Sequence, residues 1–237
     1  MNAPGGAGLL GVVAALEAEA RTLGVAVRRR DGLATFGDGA LLAVSGMGGD
    51  LAAPAARRLV EAGASALMSF GLAGGLDPTL RPGTVVLPSE VISRDGARFP
   101  TSEEWRRQLR LAVSEMQPCA SGKLLTSALP IDTAELKAAA FRDTGAVAVD
   151  MESASVAEVA AAHAVPFMAV RVIVDGATDV LPQAVLAASR GGHLSVLRLV
   201  CGLANAPRDI VGVIRLARRY RAATRSLSAV VRDGHIA

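Results

Sequence analysis

The chain has 237 residues, of which 51% are hydrophobic and 20% charged, a balance that fits a folded domain and excludes intrinsic disorder. Its two cysteines, Cys119 and Cys201, and its three histidines lack the spacing of a disulfide framework or a metal site. No uncharged apolar run approaches the ~18 residues of a membrane-spanning helix. The first apolar run ends at Glu17, which favours a core strand over a signal peptide. We expect a cytoplasmic protein that needs neither a metal nor a cofactor.

The predicted elements alternate between strands and helices along residues 1–181. The predicted strands cover residues 9–15, 40–45, 66–70, 84–93, 122–127, 146–149 and 167–174. The first predicted helix contains Glu17 and Glu19, and the second runs from an N-cap at Asp50 to a stop at Gly63. Further helices are predicted for residues 102–116, about 132–142 and 151–164. This alternation predicts a single α/β domain with a mostly parallel or mixed central sheet flanked by helices.

The net charge of +3 is unevenly distributed along the chain. Residues 182–237 hold nine arginines against two aspartates, a net +7, which leaves −4 for residues 1–181. The β/α rhythm also stops near residue 181. We therefore expect a core of residues 1–181 and an all-helical C-terminal extension, residues 182–237, of the same domain.

Carboxylates and glycines follow several of the predicted strands. In open α/β sheets, ligands bind beyond the carboxyl ends of the strands. The candidate residues at those ends are Glu19, Gly46, a loop of residues 71–75, Asp150, Glu152 and Asp175. A carboxylate after "VRVIV" is costly to place beside a core without a partner or a function. Taken singly, Glu19 also fits a solvated helix charge, Glu152 a first-turn acid and Asp175 a turn residue.

The glycines of "GMGG" (46–49) do not form a dinucleotide fingerprint. Leu51 stands where the third glycine belongs, and the following strand ends in Ser69 and Phe70 without an acid. The motif therefore favours a tight turn over a nicotinamide or flavin site.

Five blocks of the chain form a recognisable series. In order, they are "VAALEAEA" (13–20), "SGMGGDLAA" (45–53), "GLAGGLDPTLRPGTVV" (71–86), "AVAVDMESA" (146–154) and "VPFMAVRVIVDGATD" (165–179). Their order and spacing resemble the purine and uridine phosphorylase superfamily, especially its methylthioadenosine/S-adenosylhomocysteine nucleosidase branch. The resemblance covers about residues 9–180. It implies the nucleoside phosphorylase fold, cleavage of an N-glycosidic bond, a small nucleoside partner rather than nucleic acid, and a homodimer or higher oligomer.

The resemblance also implies a role for individual residues. Asp175 matches the acid that serves purine N7, and Glu152 matches the carboxylate that binds the ribose hydroxyls. Glu19 matches the carboxylate that activates water, with Arg171 near that water and the acid. Bond cleavage leaves positive charge on the sugar and negative charge on the base, which these groups stabilise. Met151 matches a methionine that packs against the sugar, Ala73 and Gly74 line the pocket for sugar and base, and Met47 lies near the 5′ substituent. Asp150 is a further candidate: it either binds substrate or serves only to orient the turn.

Several positions depart from the family pattern. "LEAEA" replaces the Gly/Arg phosphate cradle of the phosphorylases, and Ser69 and Leu72 stand in the central glycine-rich region. An anion site without cations is hard to build, so hydrolysis is favoured over phosphorolysis. Leu72 and Val174 also replace serines of the nucleosidases, and residues 127–132 lack the phenylalanine expected to stack on the base.

The C-terminal region contains a basic amphipathic pattern. In "DIVGVIRLARRYRAA" (209–223), arginines lie largely off a helical face formed by Ile210, Val213, Ile214, Ala217 and Tyr220. Such a helix either lies on an anionic membrane surface, here through residues 206–230, or packs on its own domain or a partner subunit.

This tail resembles the hopanoid-associated phosphorylase branch, whose members remove adenine from adenosylhopane. The resemblance implies release of adenine and formation of ribosylhopane in hopanoid biosynthesis. Two alternatives stay open: a soluble methylthioadenosine/S-adenosylhomocysteine nucleosidase with an unusual tail, and a non-catalytic nucleoside-binding protein.

Overall fold

A computed structural model describes residues 8–25, 32–114, 117–181, 209–234 and 236. Its strands are β1 (Leu10–Ala14), β2 (Leu33–Phe36), β3 (Ala40–Val44), β4 (Ala66–Gly75), β5 (Val85–Val86), β6 (Glu90–Ile92), β7 (Arg98–Pro100), β8 (Cys119–Ala120), β9 (Lys123–Thr126), β10 (Ala146–Asp150) and β11 (Phe167–Asp175). Its helices are α1 (Glu17–Ala20), continued by a 3₁₀ turn (Arg21–Leu23), α2 (Gly49–Glu61), α3 (Glu103–Ser114), α4 (Ala134–Thr144), α5 (Ser153–Ala162) and α6 (Asp209–Asp233).

The strands of the described residues form one mixed sheet. Along its main path the order is β2-β3-β1-β4-β10-β9-β6-β7, and β11 pairs with β4 and β5. The central strands β3, β1, β4 and β11 are parallel, whereas β10 is antiparallel to β4 and parallel to β9. This arrangement confirms the predicted α/β fold with a mixed central sheet between helices.

The central strands are apolar along almost their whole length because helices cover both faces of the sheet. In β11, Val170 and Val172 pack into a core that contains residues of α3 and α6. Ala169 and Ile173, which point to the other face of the strand, pack into a second core with residues of α2 and α5. The alternation of side chains across a strand thus fills two cores and leaves the strand ends for function.

Three sequence expectations about local structure are wrong. Residues 71–75 are not a loop, because they continue β4 and pair with β11 and β10. The predicted strand of residues 84–93 is two strands, β5 and β6, separated by a segment that contains Pro88, which has no backbone N–H. Asp50 is not the N-cap of α2. Gly48 takes that position with a φ of 99°, and Asp50 lies in the first turn.

Helix α6 packs on its own domain, one of the alternatives that the sequence left open. Its buried residues Ala223, Leu227 and Val230 join the same core as Val170. The part of the predicted helical extension between residues 182 and 208 lies outside the described residues. None of the described helices is both long and apolar enough to span a membrane.

Candidate active site

A cavity of about 430 Å³ opens at the carboxyl ends of β1, β4, β10 and β11. The predicted site residues meet there, although they come from separate junctions between strands and helices. Those that line the cavity are Glu19, Met47, Ala73, Gly74, Asp150, Met151, Glu152 and Asp175. Arg171 and Gly46, which were also candidates, do not line the cavity.

Glu19 lies in α1, directly after β1, and only 3% of the residue is exposed. Its Oε2 accepts a hydrogen bond from the Leu16 N–H at 2.9 Å, and its Oε1 accepts one from the Leu72 N–H at 2.9 Å. Burial raises the pKa of this carboxyl, although the charge of Arg171 opposes the shift. The cavity therefore contains a fixed carboxylate with increased affinity for a proton.

Gly71 allows Glu19 and Arg171 to approach the same piece of backbone. A Cβ at this position would lie 2.5 Å from Glu19 Oε1 and 2.6 Å from Arg171 Nη1. Since a side chain would collide with both charged groups, the glycine is a requirement of the site.

Arg171 lies behind the cavity wall and is only 1% exposed. Its Nε donates to Asp150 Oδ2 at 2.8 Å, and its Nη2 donates to Ser69 Oγ at 2.6 Å and Ser153 Oγ at 3.0 Å. The guanidinium therefore lies behind the wall, and the role of Arg171 near the attacking water and the acid stays a prediction. Asp150 and the two hydroxyls hold the guanidinium inside the wall.

Asp150 ends β10 and fixes the turn into α5. Besides Arg171, it accepts hydrogen bonds from Thr126 Oγ1 at 2.7 Å and from the Ser153 N–H at 3.1 Å. These contacts occupy both carboxylate oxygens, which fits the turn-orienting role predicted for this residue.

Glu152 is the N-cap residue of α5 and points towards the turn after β3. Its Oε1 accepts from the Gly48 N–H at 2.8 Å, and its Oε2 from the Met151 N–H at 3.3 Å. Burial and the nearby charge of Asp150 raise the pKa of Glu152 to about 7, against the opposing charge of Arg171. The carboxylates of Glu19, Asp150 and Glu152 all lie near the single guanidinium of Arg171, so protonation of one carboxylate relieves the repulsion among them.

Asp175 is the last residue of β11, where an irregularity in the pairing with β4 sets it opposite Gly74. Its Oδ2 accepts a hydrogen bond from Lys137 Nζ. Burial raises the pKa of Asp175, and the charge of Lys137 only partly offsets this rise. A carboxyl in this state is suited to carry a proton into the cavity.

Sequence reasoning missed Lys137 and the contribution of α6 to the site. Lys137 is fully buried, and the available signal was its rarity, because the chain has 2 lysines beside 23 arginines.

Tyr220 was assigned to an apolar helix face, but not to the cavity wall. Burial and the charge of Glu19 raise the pKa of Tyr220 to about 12. The cavity-lining residues of α6 are Val213, Leu216, Ala217 and Tyr220.

The wall of the cavity is largely apolar. Leu72 and Val174, the two replacements of serine, both line it. The segment expected to carry an aromatic residue contributes Leu129, Pro130 and Ile131 instead. Among the described residues that line the cavity, the charged ones are four carboxylates, and none is a lysine or arginine.

The fold and the four cavity carboxylates define an enzyme of the nucleosidase/nucleoside phosphorylase type. The chain belongs to the phosphorylase superfamily, whose family model matches residues 11–200. No curated protein sequence shows significant similarity to the chain.

Solved structures with the same fold cover nearly the whole chain. One is the 5′-methylthioadenosine/S-adenosylhomocysteine nucleosidase of Neisseria meningitidis in complex with methylthio-immucillin-A, with 20% identity, a TM-score of 0.71 and coverage of 97% of this chain and 99% of that one. Another is the futalosine hydrolase of Helicobacter pylori, with 18% identity, a TM-score of 0.69 and coverage of 95% and 97%. At these identities the likeness shows a shared fold.

Proposed function

We propose that this protein hydrolyses the N-glycosidic bond of an adenine nucleoside and releases adenine. The observation that carries the proposal is the meeting of Glu19, Glu152 and Asp175, from three separate strand ends, around one cavity. Carboxylates placed together at such cost in desolvation are typical of a site where charge develops during a reaction.

Each carboxylate has a task in this reaction. As the bond between C1′ and N9 breaks, its electron pair moves onto the base, and Asp175 transfers a proton to N7. Glu152 binds the ribose hydroxyls, and Met151 packs against the sugar. Water attacks C1′ and gives a proton to Glu19. General acid or base catalysis of this kind contributes roughly 10²- to 10⁴-fold in rate, and the raised pKa values of Asp175 and Glu19 support it.

Water is favoured over phosphate as the nucleophile by the charges of the cavity wall. The described wall carries four carboxylates and no cation, and the guanidinium of Arg171 is held by Asp150. A phosphate ion would be repelled by the ionised carboxylate of Glu19 and would lack the donors that normally bind it.

We infer that the 5′ substituent of the nucleoside is a large apolar group. Leu72, Val174 and Leu181 line the cavity together with Val213 and Leu216 of α6. Met47 lies in the same wall, where the resemblance puts the 5′ substituent. The substrate proposed on this basis is adenosylhopane, and the product is ribosylhopane in hopanoid biosynthesis.

A lipid-linked substrate requires access to a membrane surface. The face of α6 directed away from the core carries exposed arginines, namely Arg215, Arg218, Arg221, Arg225 and Arg232. Basic side chains near an anionic lipid surface contribute about 1 kcal/mol each to binding. We propose a cytoplasmic homo-oligomer that contacts the inner face of the membrane through residues 206–230.

Adenine release tests the function directly. We expect release from adenosylhopane at a rate that does not depend on phosphate. Turnover of methylthioadenosine alone would contradict the lipid substrate and favour the soluble nucleosidase. Strict phosphate dependence would refute hydrolysis, and binding without release from either nucleoside would indicate a non-catalytic binding protein.

Sedimentation with vesicles tests the membrane contact. Replacement of Arg218 and Arg225 by glutamine should weaken binding to vesicles that contain anionic lipid. The matched control replaces Arg57 and Arg142, exposed arginines on α2 and α4, in the same way. Equal binding by both variants would contradict the contact.

A further inference from the structure

Lys137 is a buried cation that has no role in the reaction proposed above. It lies in the second turn of α4, and none of the residue is exposed. A buried ammonium group is strongly destabilising unless it is paired and its protons are all bonded.

The three protons of the ammonium group are all directed at one short segment, residues 175–179. Nζ donates to Asp175 Oδ2, to the Gly176 carbonyl at 2.9 Å and to the Asp179 carbonyl at 3.0 Å. Two of these acceptors are neutral, so the carboxylate of Asp175 is the group that balances the charge of Lys137.

Other charged groups near Asp175 are arranged around this pair. Asp179, on the same turn, accepts a hydrogen bond from the Gly176 N–H at 2.7 Å and forms an ion pair with Arg219 of α6. The charge of Asp179 therefore has a partner of its own. Lys137 is left as the cation in direct contact with Asp175.

We propose that Lys137 is the positioning residue of Asp175: it orients the carboxyl group through Oδ2 and stabilises the negative charge that appears on Asp175 when its proton moves to N7 of the base. The inference rests on the proposed function, because it concerns the acid of that reaction. The ammonium group is in place before the proton leaves, so it favours the transition state over the protonated ground state.

The test compares two variants of Lys137 with one variant of the other lysine. Lys137→Met removes charge and donors, Lys137→Gln removes the charge but keeps donors, and Lys123→Met changes a partly exposed lysine on β9 that pairs with Glu90. The titration of the Asp175 carboxyl is followed by ¹³C NMR in the free protein and assigned with Asp175→Asn. We expect the midpoint to move to higher pH in both Lys137 variants and to stay unchanged in Lys123→Met.

Base release gives the second measurement. Since Asp175 must be protonated to act, kcat should decline on the alkaline side at a higher pH in the Lys137 variants than in wild type. The value of kcat should fall about 10-fold or more, with a smaller change in KM, because the acid gives up its proton less readily.

The outcomes separate this inference from the proposed function. If wild-type protein releases no base, the proposed function fails, whereas the titration still decides whether Lys137 controls the protonation of Asp175. A folded Lys137→Gln variant with the wild-type titration midpoint overturns the inference. Loss of the fold in both Lys137 variants also overturns it, because Lys137 would then be a structural residue only.

Discussion

Replacement of Glu152 by glutamine should stabilise the protein at neutral and alkaline pH while impairing its site. Burial and Asp150 raise the pKa of Glu152 from 4.5 to about 7. Well below pH 4.5 the group is protonated in the native and the unfolded chain alike. As the pH rises from there to about 7, the unfolded chain ionises first, so the free energy of unfolding falls.

The size of the effect follows from this shift. At about 1.36 kcal/mol per pKa unit, the native protein loses about 3 kcal/mol by the time Glu152 is ionised in both states. Glutamine avoids this loss, but its amide nitrogen cannot accept the hydrogen bond from the Met151 N–H, which costs about 1 kcal/mol. We therefore expect Glu152→Gln to be more stable than wild type by about 2 kcal/mol at alkaline pH, and slightly less stable at acidic pH.

Urea unfolding at about pH 4.5 and about pH 8 measures this crossover. Glu158→Gln is the matched control, because Glu158 is an exposed glutamate on the same helix, and its effect should be the same at both pH values. A stability difference between Glu152→Gln and wild type that does not depend on pH would refute the reasoning. Base release by Glu152→Gln should also fall, since its side chain binds ribose hydroxyls less strongly.

Three further substitutions test other parts of the site. Asp175→Asn should reduce adenine release by roughly 10²- to 10⁴-fold with an unchanged circular dichroism spectrum, and near-normal turnover would disprove the acid role. Arg171→Met should lower the free energy of unfolding by about 3–5 kcal/mol, because Asp150 is left buried without its partner; a loss below about 1 kcal/mol in urea would contradict the pairing. Gly71→Ala should reduce turnover far more than affinity for free adenine, because the new Cβ displaces Glu19. A Gly71→Ala variant with the kcat of wild type would show that the close approach of Glu19 to Gly71 has no consequence.

The sequence was sufficient to find the carboxylates of the site. Glu152 and Asp175 lie at or just beyond the ends of largely apolar strands, and Glu19 follows the first strand after a short turn. Such positions have a local signature, and the common direction of parallel strands then brings them to one edge. The resemblance to the phosphorylase superfamily added their roles, which remain predictions.

The contacts between distant segments could not be predicted from local patterns. Lys137 is separated from Asp175 by 38 positions, and nothing near it in the chain indicates its partner. Residues 71–75 are rich in glycine and were predicted as a loop, but pairing on both sides makes them a strand. The contact of Arg171 with Asp150 likewise joins residues 21 positions apart, which no local pattern indicates. In each case a tertiary contact outweighs the local preference.

Helix α6 joins the two ends of the described chain at the site. It lines the cavity, contacts the 3₁₀ turn near the N-terminus and fills part of a core through Leu227. The contact between α6 and the 3₁₀ turn closes a long stretch of the chain, which costs loop-closure entropy. The pocket is therefore complete only when α6 is docked, so nucleoside binding is coupled to the docking of this helix.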